Sequence, residues 1–289
     1  MLYIVTFVSL YLCSLFIIDM EMRRPKVSVI MGIYNCAPYL QEALDSLYKQ
    51  TLQDFEIILC EDGSSDKTYE IARDYAKRHP NITLLRNNHN MGLNITLNNC
   101  LAVANGEYIA RMDGDDISMP TRFQKEVDFL DNHPEFAIVS CPMIYFDENG
   151  EFGRGIAGGE PTKEAFINGT PFCHAPCMVR KEAYTKVNGY TVSKNLLRVE
   201  DYHLWMKMFA EGYRGYNLDE HLYLMRDDRN AARRRNWIGR KNSAYAMWLA
   251  FRTLHIPITK YPYCLLPIIK FFVPTCLYQY FHKRKLNQK

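Results

Sequence analysis

Between Lys26 and Met112 the chain repeats one pattern: a short apolar run, a polar turn, then ten to thirteen residues of helical periodicity. Apolar runs at 27–34, 55–60, 82–86 and 108–112 read as strands, and the intervening stretches 38–50, 67–79 and 93–104 read as helices. The first run, Val-Ser-Val-Ile-Met-Gly-Ile-Tyr, is nearly continuous in apolar residues, as in a strand covered on both faces. Pro38 suits the first turn of the helix that follows. Asn90-Met91-Gly92 leads into the third helix, which closes at Asn105-Gly106. Such an alternation implies right-handed crossovers and an α/β fold with a mostly parallel central sheet flanked by helices. Ligands bind such sheets beyond the carboxyl ends of the strands, so Tyr34, Asp62 and Asp113 are expected on one edge.

That edge carries the run Arg111-Met112-Asp113-Gly114-Asp115-Asp116. Three carboxylates so close remain ionised together only if a cation or strong donors offset their repulsion. A divalent ion holding a diphosphate would do so, since hard oxygen ligands suit Mg²⁺ or Mn²⁺. Asp-Gly is also common turn chemistry, and taken alone the run is either a turn or a metal site. Its position beside Tyr34 and Asp62 favours the second.

Further on, a helix is expected from Pro120 to Asn132, a strand at 136–140 and a Gly-rich, charged mobile loop at 148–159. Residues 172–179 read as extended and 181–187 as helical. Glu200-Asp201 opens an amphipathic helix with Leu204, Trp205, Met208 and Phe209 on one face.

The length allows one large α/β domain with an appendage. A net charge of +3 implies no general attraction to nucleic acid. Nine cysteines with irregular spacing argue against a disulfide framework and for reduced thiols. Cys173 and Cys177 bracket His174 but lack the partners a zinc site needs. Residues 1–22 begin with an uncharged apolar stretch, followed by Arg23, Arg24 and Lys26. Either this is a membrane anchor that leaves the rest of the chain in the cytoplasm, or Met20 or Met22 is the true start. Residues 226–289 turn basic and then apolar, with Pro267, Lys270 and Pro274 interrupting the apolar part. An interfacial segment with a polybasic tail on an anionic membrane surface fits this extension, and a helix packed on the main domain is the alternative.

Four motifs, in order, resemble those of the family 2 glycosyltransferases with a GT-A fold: residues 27–35, Glu61-Asp62-Gly63-Ser64-Ser65-Asp66, Asp113-Gly114-Asp115-Asp116 and Glu200-Asp201-Tyr202-His203-Leu204-Trp205. The resemblance spans a catalytic domain at 26–225. Gly32 stands where the family usually has proline.

The resemblance implies an inverting transfer of a hexosyl or N-acetylhexosaminyl unit from a nucleotide-sugar, most simply UDP-linked. The acceptor would be a hydroxyl of a glycan or lipid-linked oligosaccharide, in bacterial surface polysaccharide assembly at the cytoplasmic face of the membrane. Ile33 and Tyr34 would shape the nucleotide edge, Asp62 would accept from the base, and Asn90 and Gly92 would form the turn that approaches the donor. Arg111, Asp113 and Gly114 complete the donor set, while Asp113 and Asp115 match the DXD motif that engages Mn²⁺ or Mg²⁺. Asp201 corresponds to the general base, with Glu200 beside it. Asp66 is expected to act as a helix cap only. His174 is either an acceptor contact or a satisfied core histidine; Arg226, Arg229 and Arg233 lie where a segment can fold over a diphosphate, although a solvated or lipid-facing basic surface is the reading favoured for most of them.

Two other classes use parts of this pattern. A phosphoester hydrolase needs the acidic strand end but neither Asp62 nor the Glu200-Asp201 helix, and a non-catalytic scaffold needs none of the carboxylates.

Overall fold

A computed structural model of the protein describes residues 24–227 and 236–273. The expected alternation is present: β1 (Val27–Ile33), α1 (Ala37–Tyr48), β2 (Phe55–Glu61), α2 (Thr68–Arg78), β3 (Ile82–Arg86), α3 (Leu93–Val103) and β4 (Tyr108–Arg111). The chain continues through β5 (Ile117–Ser118), α4 (Arg122–Asn132), β6 (Phe136–Ser140), β7 (Met143–Asp147), β8 (Gly150–Arg154) and α5 (Ala165–Asn168). Then follow β9 (Met178–Arg180), α6 (Lys181–Lys186), α7 (Glu200–Ala210), β10 (Arg214–Asn217), β11 (Tyr223–Arg226), α8 (Trp237–Thr253) and α9 (Leu266–Phe271).

Seven strands form the main sheet in the order β10-β6-β9-β4-β1-β2-β3. All neighbours pair in parallel except β9, which runs antiparallel to both β4 and β6. The two-residue period of β1 sends Val27, Val29, Met31 and Ile33 to one face, against Leu40, Leu44 and Ala72 of α1 and α2. Ile30 faces the other way, into a core with Leu97, Ile109, Leu204 and Trp205. Helices therefore cover both faces, which is why β1 tolerates almost no polar residue.

Two expectations change, and one feature of the fold is additional. Residues 148–159 contain β8, which pairs with β7 as a hairpin, so the segment is not simply a loop. Within 172–179, only Met178 and Val179 belong to a strand. A second sheet, β5-β11-β7-β8, stands behind the acidic run, with β11 parallel to β7 and antiparallel to β5.

The C-terminal segment packs on the main fold over its described part. Ala246, Met247, Ala250 and Phe251 of α8, with Leu254, Ile256 and Cys264, join the same core as Leu204, Trp205 and Met208 of α7. No helix among the described residues is long and apolar enough to cross a membrane. The apolar run before Asp19 and the basic tail at 282–285 lie outside the described residues.

Candidate active site

The carboxyl ends of β1, β2 and β4 are neighbours, and their loops are tied together by side chains. Asn35, in the left-handed region at φ 48°, accepts the Ser65 N–H at 2.9 Å and donates its own N–H to Ser64 Oγ at 3.1 Å. Asp66 is a cap, and it caps two helices. Its carboxylate accepts the Thr68 N–H at 3.0 Å at the head of α2 and the Ala37 N–H at 3.1 Å at the head of α1. Burial works against charge on Asp66, but these hydrogen bonds prevail and hold its pKa below the usual range.

Asp62 is almost fully buried. One oxygen accepts from Asn87 Nδ2 and Met91 N, both at 2.8 Å, and the other from Gly92 N at 3.0 Å. The carboxylate therefore shapes the Asn90–Gly92 turn, leaving about one of its four lone-pair sites for a base. Gly63 permits this approach: at φ 71° a Cβ there would lie 2.7 Å from the His89 backbone. Asn90 and Tyr34 are exposed beside the turn. Ile33 is not, because its strand parity points it into the core, and its side chain cannot shape a nucleotide edge. Only its carbonyl reaches the edge loop, accepting the Asp62 N–H at 3.0 Å.

The acidic run leaves β4 over a close-packed floor. A Cβ on Gly114 would stand 2.8 Å from Cys36 Sγ and 3.0 Å from Ile33 Cγ2, so residue 114 has no room for a side chain. Arg111 is buried and its guanidinium pairs with Asp113. Burial opposes its charge, but Asp113, together with Tyr223, Tyr190 and Cys177 behind it, outweighs burial and the pKa rises. Asp115 is pushed up by burial and then by Asp113. Asp116 is buried, with one oxygen accepting the Arg226 N–H at 2.8 Å and the other without a partner.

A strand end where burial and Asp113 push up the pKa of both Asp115 and Asp116 suits an added cation. Among the described residues no group of three or more His, Cys, Asp or Glu forms a ready-made cage.

At the head of α7 stand Glu200 and Asp201, both half-buried. The residue before them, Val199, offers no side-chain cap, so these first-turn acids complement the helix dipole. Burial raises both pKa values, and Arg111 partly counters it in each. Glu200 Oε2 has no hydrogen-bond partner. Arg111 thus acts electrostatically on Asp113 and Asp115 of the acidic run and on Glu200 and Asp201 at the head of α7, which brings the two sequence-distant motifs to one place.

His174 lies under the same site. Its Nε2 is 2.7 Å from the Tyr190 hydroxyl, and its ring meets those of Tyr190 and Trp205 edge-on. Burial, then Arg111, holds its pKa well below the usual value, so it is a neutral, hydrogen-bonded histidine. Cys173 and Cys177 are free, and burial pushes their thiols up to about 11 and about 12.

Two supports escaped the sequence, and a third, Arg226, has a role other than those read for it. Tyr223 OH accepts the Asp113 N–H at 3.2 Å. Arg226, read as reaching over a diphosphate or lying on a solvated or lipid-facing surface, is a clasp: Nε donates to the Asp115 carbonyl at 3.0 Å, a terminal nitrogen pairs with Glu42, and the rings of Tyr39 and Phe146 flank it at 4.3 and 4.4 Å. Arg229 and Arg233 lie outside the described residues. Beneath, Arg122 and Glu126 form a fully buried pair, and Arg122 Nη2 donates to the Arg111 carbonyl at 3.0 Å. Their i, i+4 spacing was visible; their burial was not.

Comparison with known proteins agrees with this geometry. The family model for glycosyl transferase family 2 matches residues 28–187. A putative glycosyltransferase of Bacillus subtilis, EpsE, is 42% identical over 267 residues, covering 92% of this chain and 96% of its own. A UDP-Gal:alpha-D-GlcNAc-diphosphoundecaprenol beta-1,3-galactosyltransferase of Escherichia coli is 33% identical over 221 residues, covering 74% of this chain and 78% of its own. Among solved structures, S. aureus TarS 1–349 with UDP-GlcNAc superimposes with a TM-score of 0.64 at 20% identity, covering 89% of this chain and 73% of that one. The mannosyltransferase PcManGT of Pyrobaculum calidifontis, with GDP-Man and Mn2+, gives 0.60 at 21%, covering 93% and 82%. At such identities the structural likeness speaks for the fold, which is GT-A. These matches displace both the phosphoester hydrolase and the non-catalytic scaffold: the chain belongs to glycosyl transferase family 2 and is a glycosyltransferase.

Proposed function

We propose that the protein is an inverting, metal-dependent enzyme of polysaccharide biosynthesis that transfers a sugar from a UDP-linked donor to a hydroxyl of a lipid-linked glycan. The observation that carries this reading is the position of Arg111, which acts on the acidic run and on the Glu200-Asp201 pair alike. Donor diphosphate and acceptor hydroxyl then meet across one buried cation. Asp113 and Asp115 would hold Mn²⁺ or Mg²⁺ against the diphosphate, and the ion would supply Lewis-acid stabilisation of the departing nucleotide.

Asp201 takes the acceptor proton as the hydroxyl attacks the anomeric carbon. The hydroxyl is a weak acid, so proton transfer accompanies attack. A carboxylate whose pKa burial has raised is the better base for that task. Glu200, with an unpartnered oxygen, is the neighbouring acceptor of hydrogen bonds from the sugar. Single displacement from an α-linked donor yields a β-linkage, as in the name of the E. coli relative, whose acceptor is a polyprenyl diphosphate glycan.

Calorimetry with a panel of nucleotide-sugars, with and without Mn²⁺, tests the donor site. Binding of a UDP-sugar that strengthens with the metal is expected. If no nucleotide-sugar binds, the donor assignment falls. Transfer to a polyprenyl-diphosphate-linked sugar, lost in Asp201→Asn, tests the rest.

A further inference from the structure

The site leaves one surface unexplained, the outward side of α8. This helix turns Ala246, Met247, Ala250 and Phe251 into the core. With 3.6 residues per turn, Trp237, Ile238, Lys241, Tyr245, Trp248 and Arg252 fall within about 100° of arc on the opposite side. All six are exposed. The face continues onto the following turns of chain, where Phe271 and Phe272 meet the Trp237 ring at 5.5 and 6.4 Å. Phe272 is 73% exposed and Ile258 79%. A contiguous apolar surface of this kind marks an interaction site rather than ordinary solvent-facing protein.

Charge tells what covers it. The charged side chains between Asn236 and Val273 are Arg240, Lys241, Arg252, Lys260 and Lys270, and no Asp or Glu follows Asp228 in the sequence. Arg252 lies over the Trp248 ring at 4.9 Å and Lys260 over Tyr263 at 5.8 Å. Tryptophan and tyrosine mixed with cations alone, spread over a convex helix and its neighbouring turns, is the composition of a segment lying in the headgroup layer of an anionic bilayer. Such aromatic rings carry an apolar body and a polar edge that suit this layer.

The face also stands behind the acceptor acids. Asn242 of α8 donates to the carbonyls of Lys194 and Leu197, both at 3.2 Å, and a Cβ on Gly239 would lie 3.9 Å from Arg198. These contacts join the start of α8 to the turn that leads directly into Glu200.

We propose that the outer face of α8, with residues 258–272, docks on an anionic lipid membrane and so sets the Glu200-Asp201 end of the site at the bilayer surface. The docking surface stands on its own observations; its use for a lipid-anchored acceptor rests on the function proposed above.

The test is co-sedimentation of the full chain with vesicles of phosphatidylcholine, alone or mixed with phosphatidylglycerol. Binding to the mixed vesicles, weakened by salt, is expected. It should fall about tenfold in Trp237→Ser/Ile238→Ser/Phe272→Ser and in Lys241→Glu/Arg252→Glu, with calorimetric nucleotide-sugar binding unchanged in both. Variants that keep the fold and bind as tightly as the unaltered chain would overturn the proposal, because attachment then lies elsewhere in the chain. Failure of the unaltered chain to bind, with the same substitutions turning a dimer into a monomer, would make the face a protein interface instead. Loss of nucleotide-sugar binding in the unaltered chain would instead strike the donor assignment and leave the docking result intact.

Discussion

At the donor edge Asp62 and Asp66 accept hydrogen bonds through both oxygens, from Asn87, Met91 and Gly92 in one case and from Thr68 and Ala37 in the other. At the head of α7, Glu200 leaves an oxygen without a partner and burial raises the pKa of both acids. A carboxylate held by several N–H donors is fixed in place, and at Asp66 such bonds also hold the pKa below the usual range. One that is buried and under-bonded is costly to keep ionised, and the same cost makes it eager for a proton. The loop that carries Asp62 and Asp66 is thus built for shape, and the head of α7 for reactivity.

The sharpest way to break this contrast is Asp201→Asn. Turnover should fall about a thousandfold while calorimetry finds nucleotide-sugar affinity unchanged. Equal losses in both would mean that Asp201 shapes the donor half after all. The buried pair beneath Arg111 tests support rather than chemistry. Arg122→Met should lower stability by about 3–5 kcal/mol in denaturant unfolding because it strands Glu126, whereas Arg122→Met/Glu126→Met should be near neutral.

Asp115→Asn should weaken the metal-dependent part of nucleotide binding by about 10- to 100-fold, seen as loss of the difference between titrations with and without Mn²⁺. Tyr223→Phe removes the acceptor for the Asp113 N–H, and a loss of about 1 kcal/mol should appear as a several-fold rise in donor KM with kcat little changed. The pH profile sharpens the contrast at least cost to the fold. The base works ionised, so turnover should be flat at high pH and fall as pH drops through the pKa of Asp201, at a value above the ordinary aspartate pKa of about 3.9. A limb at or below that value would show that burial does not tune this acid.

The parallel half of the fold was legible because its signals are local: the two-residue period of β1, the turn at Asn90-Met91-Gly92 and the stop at Asn105-Gly106. The same period, followed one step further, would have placed Ile33 in the core with Val29 and Met31. The second sheet was not legible. Its β5 has two residues and β11 four, too few to show a period, and β11 pairs with Met143–Phe146 and Ile117–Ser118, far away in sequence. Tyr223 and the clasping role of Arg226, which depend on it, were hidden for the same reason. Helix α8 was obscured differently: one side is buried, the other is rich in exposed aromatic residues, and so little polar contrast remains for a helical pattern to display.

The core shared by α7 and α8 bears on how such enzymes can be altered. Removing residues after 236 would uncover Leu204, Trp205 and Met208, which support the helix bearing Glu200 and Asp201. The segment is therefore a structural wall of the active site, not a detachable tail. Exchanging it with that of a relative would change the exposed aromatic surface and the seating of Glu200 and Asp201 together, so the two are inherited as one trait.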